Sequence, residues 1–169
     1  MYTASVPQVS KMLQNLSAWL GKAEEHAQQK NFDVNVLLQC RLAPDMYPLV
    51  RQIQSSCDTA KFLAARLSGK EAPRHPDTET TFEEIKQRIA STLEFLSTIK
   101  ESDFQGASER KVTTNYLPPG KAFAGPVYLN QSALPNFYFH LTTAYLILRH
   151  NGVNVGKMDF MGATPLIDV

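Results

Sequence analysis

The sequence predicts an all-α protein, a four-helix bundle with a long crossover between its third and fourth helices. Three observations predict it. Four stretches carry apolar residues at alternating spacings of three and four, the period of a helix with one buried face. The span 102–131 separates the third stretch from the fourth and lacks that period. The 169 residues, 43% of them apolar, suit one domain with a sizeable core, so residues 1–169 are read as a single unit.

The first helix runs from about Ser5 to Gln29. Val9, Met12, Leu13, Leu16, Trp19, Leu20 and Ala23 form its apolar stripe, and His26 continues that face near the helix end. A break at Lys30-Asn31-Phe32-Asp33 follows, and Asp33 is placed to cap a short helical segment holding Val36, Leu37 and Leu38. In the stretch Arg41-Leu-Ala-Pro-Asp-Met-Tyr-Pro-Leu49, Pro44 suits a helix start and Pro48 then kinks the first turns. The second helix continues to about Leu67, with Gly69 as its stop. Met46, Leu49, Ile53, Cys57, Ala60, Ala64 and Leu67 are its stripe, and Asp45, Gln52 and Ser56 form a polar line beside it.

Residues 70–80 are rich in proline and charge and read as a surface loop that includes His75. Thr81 with Glu84 is a capping box, opening a third helix whose apolar face is Phe82, Ile85, Ile89, Leu93, Leu96 and Ile99. Within the crossover, Val112 to Tyr116 and Phe123 to Tyr128 favour strands, and Leu117-Pro-Pro-Gly-Lys121 is a turn, which together predict a short hairpin. The fourth helix spans Pro135 to Asn151, capped by Ser132 and stopped by a left-handed Gly152. Its apolar residues go nearly all round, with Thr142 and Arg149 as a narrow wet stripe, which is the pattern of a buried helix. His140 shares a face with Ala144, Ile147 and Asn151 and therefore points inward. The tail Val153 to Val169 is expected to pack back across the bundle.

Composition excludes several classes of function. A formal net charge of +1 gives no general field for nucleic acid or an anionic membrane. No stretch approaches the roughly 20 apolar residues of a transmembrane helix. Polar residues interrupt the N-terminus where a signal peptide would be apolar. Cys40 and Cys57 have neither disulfide-framework nor zinc spacing. These features point to a cytoplasmic protein.

Bundles place ligand sites in the core, on facing helices. The candidates for such a pocket are Arg41, Asp45, Gln52 and His140, with Arg41 and Asp45 four apart and spaced to pair along a helix. No nucleophile stands beside an obvious base, no glycine-rich phosphate loop occurs, and no His-x-x-x-His or Glu-x-x-His pair is present.

Three segments carry a resemblance: Arg41 to Leu49, Arg66-Leu-Ser-Gly69, and Phe139-His-Leu-Thr-Thr-Ala-Tyr-Leu-Ile-Leu-Arg-His-Asn-Gly152. Together they resemble the domain-of-unknown-function family DUF1993, grouped with the DinB/YfiT-like metalloenzyme superfamily. The resemblance implies a DinB-like four-helix bundle. It also implies a metal triad of one second-helix and two fourth-helix histidines. His140 is the only plausible metal ligand of that set. Ala144 stands at its partner position, and the second-helix region offers Asp45 and Met46 instead of histidine. No cofactor is therefore expected. Two readings follow. One is a small-molecule pocket in the bundle core with an incomplete metal site. The other is a non-catalytic, homodimeric interaction protein with a satisfied polar core network.

Overall fold

The apolar stripe of the first helix becomes the buried face of α1 (Val6–Lys30), whose Val9, Leu13, Leu16, Trp19, Leu20 and Ala23 are fully enclosed. The structure, a computed structural model, describes residues 1–168; Val169, the end of the expected tail, lies outside the described residues. Asn31 ends α1 in the left-handed conformation at φ 55°. Asp33 then caps the short 3-10 helix Val34–Gln39 by accepting a bond from Asn35 N at 2.9 Å.

The second helix differs from expectation at its start. Residues 41–48 are not helical, and α2 (Leu49–Ser68) begins directly after Pro48. Each proline lacks an N–H and drives the residue before it towards extended backbone, so Pro44 and Pro48 together keep the segment out of the helix instead of kinking it. The loop is closed by Leu49 N donating to Cys40 O at 2.9 Å. Arg41 and Asp45 therefore stand on an exposed loop, and the pairing expected along a helix does not form. Gly69 stops α2 at φ 77°.

Thr81 and Glu84 make the predicted capping box at the head of α3 (Phe82–Ser97). In the crossover the hairpin forms, but with only two residues per strand: β1 (Lys111–Val112) pairs antiparallel with β2 (Phe123–Ala124), Lys111 facing Ala124 and Val112 facing Phe123. The fourth bundle helix then starts ten residues before the expected Pro135. It opens as α4 (Gly125–Val127), widens into a π turn (Tyr128–Ala133) and continues as α5 (Leu134–His150). Ser132 is not its cap; it lies inside the π turn, with its Oγ 3.0 Å from the Tyr116 hydroxyl. Pro135 has no N–H to give and its ring crowds the preceding turn, and the wide turn just before it is where the helix absorbs both defects. Gly152 ends the helix at φ 88°, as expected.

The tail returns across α1 as the short helix α6 (Lys157–Met161). Trp19 Nε1 donates to Asp159 O at 3.0 Å, the Trp19 and Phe160 rings stack at 5.5 Å, and Lys22 pairs with Asp159 at 2.6 Å. α2 packs most extensively on α5, then on α3. One expectation for α5 fails. It is not buried all round: Phe139 is 57% and Leu146 44% exposed, on the face that also carries Arg149.

Gly125 holds the crossover against the bundle. A Cβ at this position would stand 1.9 Å from Ala107 O. Gly125→Ala must push the crossover backbone away, at an expected cost of about 1–3 kcal/mol. Urea unfolding should show a lower midpoint with an unchanged slope. A variant as stable as the parent would mean that the crossover yields freely at this point.

Candidate functional site

α2 and α5 run antiparallel, and polar contacts mark the seam at three levels. The Gln52 side-chain oxygen meets His140 Nδ1 at 2.8 Å, Asn136 Nδ2 donates to Thr59 Oγ1 at 2.8 Å, and Arg66 Nη1 donates to the Tyr128 hydroxyl at 3.0 Å. As the α2 number rises, the partner's number falls. Of the expected polar line, Gln52 and Ser56 lie on α2 and are fully buried, while Asp45 stands on the loop. Ser56 spends its hydroxyl on Gln52 O, one turn back.

The Gln52–His140 bond has a direction. Gln52 Nε2 donates to Tyr47 O at 3.1 Å, so the amide turns its oxygen towards the imidazole. Nδ1 of His140 must then carry the proton, and Nε2 keeps its lone pair. Nε2 has no hydrogen-bond partner among the described residues, and it is not sealed away from solvent. Burial pushes the His140 pKa below its ordinary value, and the positive charge of Arg51 pushes it the same way. The imidazole is therefore neutral near pH 7. Phe139 meets it edge-on at 5.2 Å, and Tyr47, 56% exposed, stands beside its amide partner.

The donors around His140 do not fit the metal triad that the resemblance implies. Ala144, one turn further along α5, is fully buried and offers no donor atom. The group that meets His140 from α2 is an amide, and it engages Nδ1 directly. Among the described residues no three His, Cys, Asp or Glu side chains converge. Cys57 supplies no nucleophile here either: burial pushes its thiol up to about 12, which keeps it protonated.

A second polar cluster was not foreseen from the sequence. Arg88 of α3 is almost wholly buried and lies 2.8 Å from Asp58, 2.8 Å from Glu79 and 3.0 Å from Asp77. Lys61, also buried, shares Asp58 at 2.7 Å, and Arg51 pairs with Asp77. Burial opposes ionisation of Asp77 and Glu79, but the guanidinium groups outweigh it and hold both carboxyls below their ordinary range. The signal was present: Arg88 falls between Ile85 and Thr92 on the inward face of α3, where a charge must find partners. The segment 70–80, read as a surface loop, supplies two of them. His75 on the same loop is half-buried and lies 3.1 Å from Ser91 Oγ.

Two cavities open along the C-terminal half of α2, of about 720 Å³ and 560 Å³. Asp58, Phe62 and Arg66 line both. The first is walled by the 70–80 loop and the second by the crossover and the π turn.

Comparison with known proteins agrees with this bundle. The family described as "Domain of unknown function (DUF1993)" matches residues 1–161. The chain belongs to DUF1993. The crystal structure of a DinB family member protein from Shewanella denitrificans is similar to it, at 48% identity and a TM-score of 0.95, over 99% of this chain and 95% of that one. No curated protein matches. The DUF1993 fold is thus DinB-like and all-α, and no helix among the described residues is long and apolar enough to cross a membrane. In this DUF1993 chain the structure brings Gln52 and His140 together and leaves Arg41 and Asp45 on the adjoining loop. There Arg41 donates to Met46 O at 3.4 Å.

The state of His140 sets a pH dependence. Its folded pKa lies below the unfolded one, so on acidification the unfolded chain takes up the proton first. The stability it contributes is present above about pH 6.5, the ordinary imidazole value, and is lost as pH falls through the folded value. Denaturant unfolding at about pH 7.5 and about pH 5 should show a smaller acid loss in His140→Gln than in the parent. His75, also pushed down chiefly by burial, is common to both proteins and cancels in the comparison. Equal acid losses would mean that His140 titrates normally.

Proposed function

We propose that this chain is a small-molecule-binding bundle in which His140, held as one tautomer by Gln52, presents its Nε2 lone pair to the ligand without a bound metal. The 2.8 Å bond from His140 Nδ1 to Gln52 carries the reading. A core polar pair would be enclosed at both ends. Here Gln52 is 1% exposed while His140 is only half-buried and borders the exposed Phe139. An imidazole fixed by a buried amide, neutral near pH 7 and open at Nε2, is arranged to accept a hydrogen bond or a proton. Arg51, close enough to act on His140, adds a positive charge beside it. The test is a fragment titration followed by the His140 ring resonances. Binding fragments should shift them, and should lose their effect in His140→Ala and Gln52→Ala. Fragments that bind without moving the ring, or bind both variants unchanged, would remove the reading. So would close to one divalent metal per chain after dialysis.

The exposed face of α5 favours a second reading. Phe139 and Leu146 are seven residues apart on one stripe, and the near-neutral charge raises no barrier to pairing through it. In that reading the chain is a homodimer packed on α5 and the Gln52–His140 pair is structural. Sedimentation should then give a dimer, and Leu146→Glu a monomer. A parent chain that sediments as a monomer at high concentration would exclude it.

A further inference from the structure

Arg66 is a charged residue that neither the fold nor the His140 reading uses up. Its guanidinium carbon lies 4.8 Å from the Phe62 ring centroid and 5.6 Å from that of Tyr128. Its Nη1 donates to the Tyr128 hydroxyl at 3.0 Å. The group therefore lies against both rings, with one donor committed. The remaining N–H groups have no hydrogen-bond partner among the described residues and are not sealed in the core. Arg66 lines both cavities and sits at their junction.

The nearby carboxylates do not neutralise it. Asp58 is held by Lys61 and Arg88, at 2.7 and 2.8 Å. Asp103 is held by Lys70 at 2.6 Å. Asp77 and Glu79 are committed to Arg88. Within that network Asp58, Asp77 and Glu79 balance Lys61, Arg88 and Arg51, so the positive charges of Arg66 and the exposed Arg74 are left over along the first cavity. Arg66 occupies the last turn of α2, and the helix dipole there accounts for a cation. It does not account for the contact with both rings, nor for donors facing two cavities. The floor beside the guanidinium is apolar, made of Phe62, Ala65, Pro73 and Pro76. The far wall carries neutral polar groups, among them Asn136 and Ser132.

We propose that Arg66 anchors the oxyanion, carboxylate or phosphate, of a small aromatic acid whose ring lies on the apolar floor of the groove beside α2. A planar guanidinium fixed in advance offers two parallel donors to such a group with little further loss of freedom. The site stands apart from His140: Arg66 is fourteen residues from Gln52 on α2, about 21 Å at 1.5 Å per residue. The inference does not rest on the His140 reading, and either survives the failure of the other.

The probes are benzoate, phenyl phosphate and the neutral benzyl alcohol, titrated into the whole chain while the Arg66 Nε–Hε resonance is followed by NMR. At least one anion should shift that signal saturably and bind about tenfold or more tighter than benzyl alcohol. Benzoate alone binding identifies a carboxylate ligand, and phenyl phosphate alone a phosphate. Arg66→Gln should lose about tenfold in affinity, and Arg66→Lys should recover only part of it, because the charge returns without the planar fork. Should Arg66→Gln fail to fold, the parent titration and Arg66→Lys decide. No saturable shift at Arg66, equal binding of the neutral probe, or unchanged affinity in the variants overturns the proposal.

Discussion

The antiparallel seam between α2 and α5 is the contact on which the rest of the structure depends. α5 is apolar over most of its circumference and needs a broad cover, which α2 supplies from Leu49 to Leu67. Apolar burial drives the two helices together but has no direction, so it does not by itself select how far one slides along the other. The three polar contacts do. Gln52–His140, Thr59–Asn136 and Arg66–Tyr128 form at one register only, and a slip of one turn breaks all three. Each bond is worth about 1 kcal/mol net, but leaving the buried Gln52 oxygen unpaired costs about 1–3 kcal/mol, so the penalty for a wrong register exceeds the gain for the right one. The same bond that fixes the register also fixes the His140 tautomer. Architecture and chemistry at this point are one interaction.

The Arg88 network performs a different task. Removing the Arg88 guanidinium and the Lys61 ammonium from water is expensive, and their attraction to Asp58, Asp77 and Glu79 does little more than offset the desolvation. Its effect is positional. The loop 70–80 contains no regular structure and four of its residues are Pro73, Pro76, Asp77 and Glu79. Asp77 and Glu79 tie it to α3 through Arg88, and to α2 through Arg51 and Gln54. A segment that would otherwise hang in solvent becomes the wall of a cavity. The network is neutral by itself, and this balance is what leaves Arg66 unneutralised.

Periodicity made the bundle legible. Four apolar stripes, the Thr81 capping box and the glycines at 69 and 152 located every long helix, with three ends misplaced: two that contain prolines, and the end of α3, which stops at Ser97 and not near Ile99 to Glu101. At Pro44 and Pro48 local sequence reads equally as a kinked helix or as a loop, and only the packing of the chain after Cys40 chooses. At Pro135 the helix extends backwards because a π turn absorbs the proline, and no sequence rule marks such a turn. The exposure of Phe139 and Leu146 was hidden for another reason. A helix on the rim of a bundle with apolar residues on its wet face has the same periodicity as one that is enclosed. The site was legible in part. Gln52, read as part of a polar line beside the apolar stripe, and His140, read as facing inward, do meet, but Arg41 and Asp45 depended on a helix that does not reach them. Arg88 and Arg66 were missed because their partners come from segments without periodicity, the 70–80 loop and the π turn.

A DinB-like backbone does not by itself supply the metal triad that the resemblance implies, and three side chains show why. Over a DinB-like bundle nearly superposable on its Shewanella denitrificans relative, the imidazole of His140 faces an amide from α2 and a methyl group one turn along α5. An amide bonded to Nδ1 leaves Nε2 as a base, whereas a metal centre would need the lone pairs of several such rings to converge. Ala144 sits in a filled interior, so a ligand placed there would first have to be packed, at the cost that overfilling a core carries. The departure from the metal pattern is therefore built into the packing and is more than the loss of one ligand. What the scaffold provides is the α2–α5 seam. Along it, polar groups meet the bundle surface at two places about 21 Å apart. In the two proposals one offers a neutral base and the other an unpaired cation, and a ligand of ordinary metabolite size would reach only one of them.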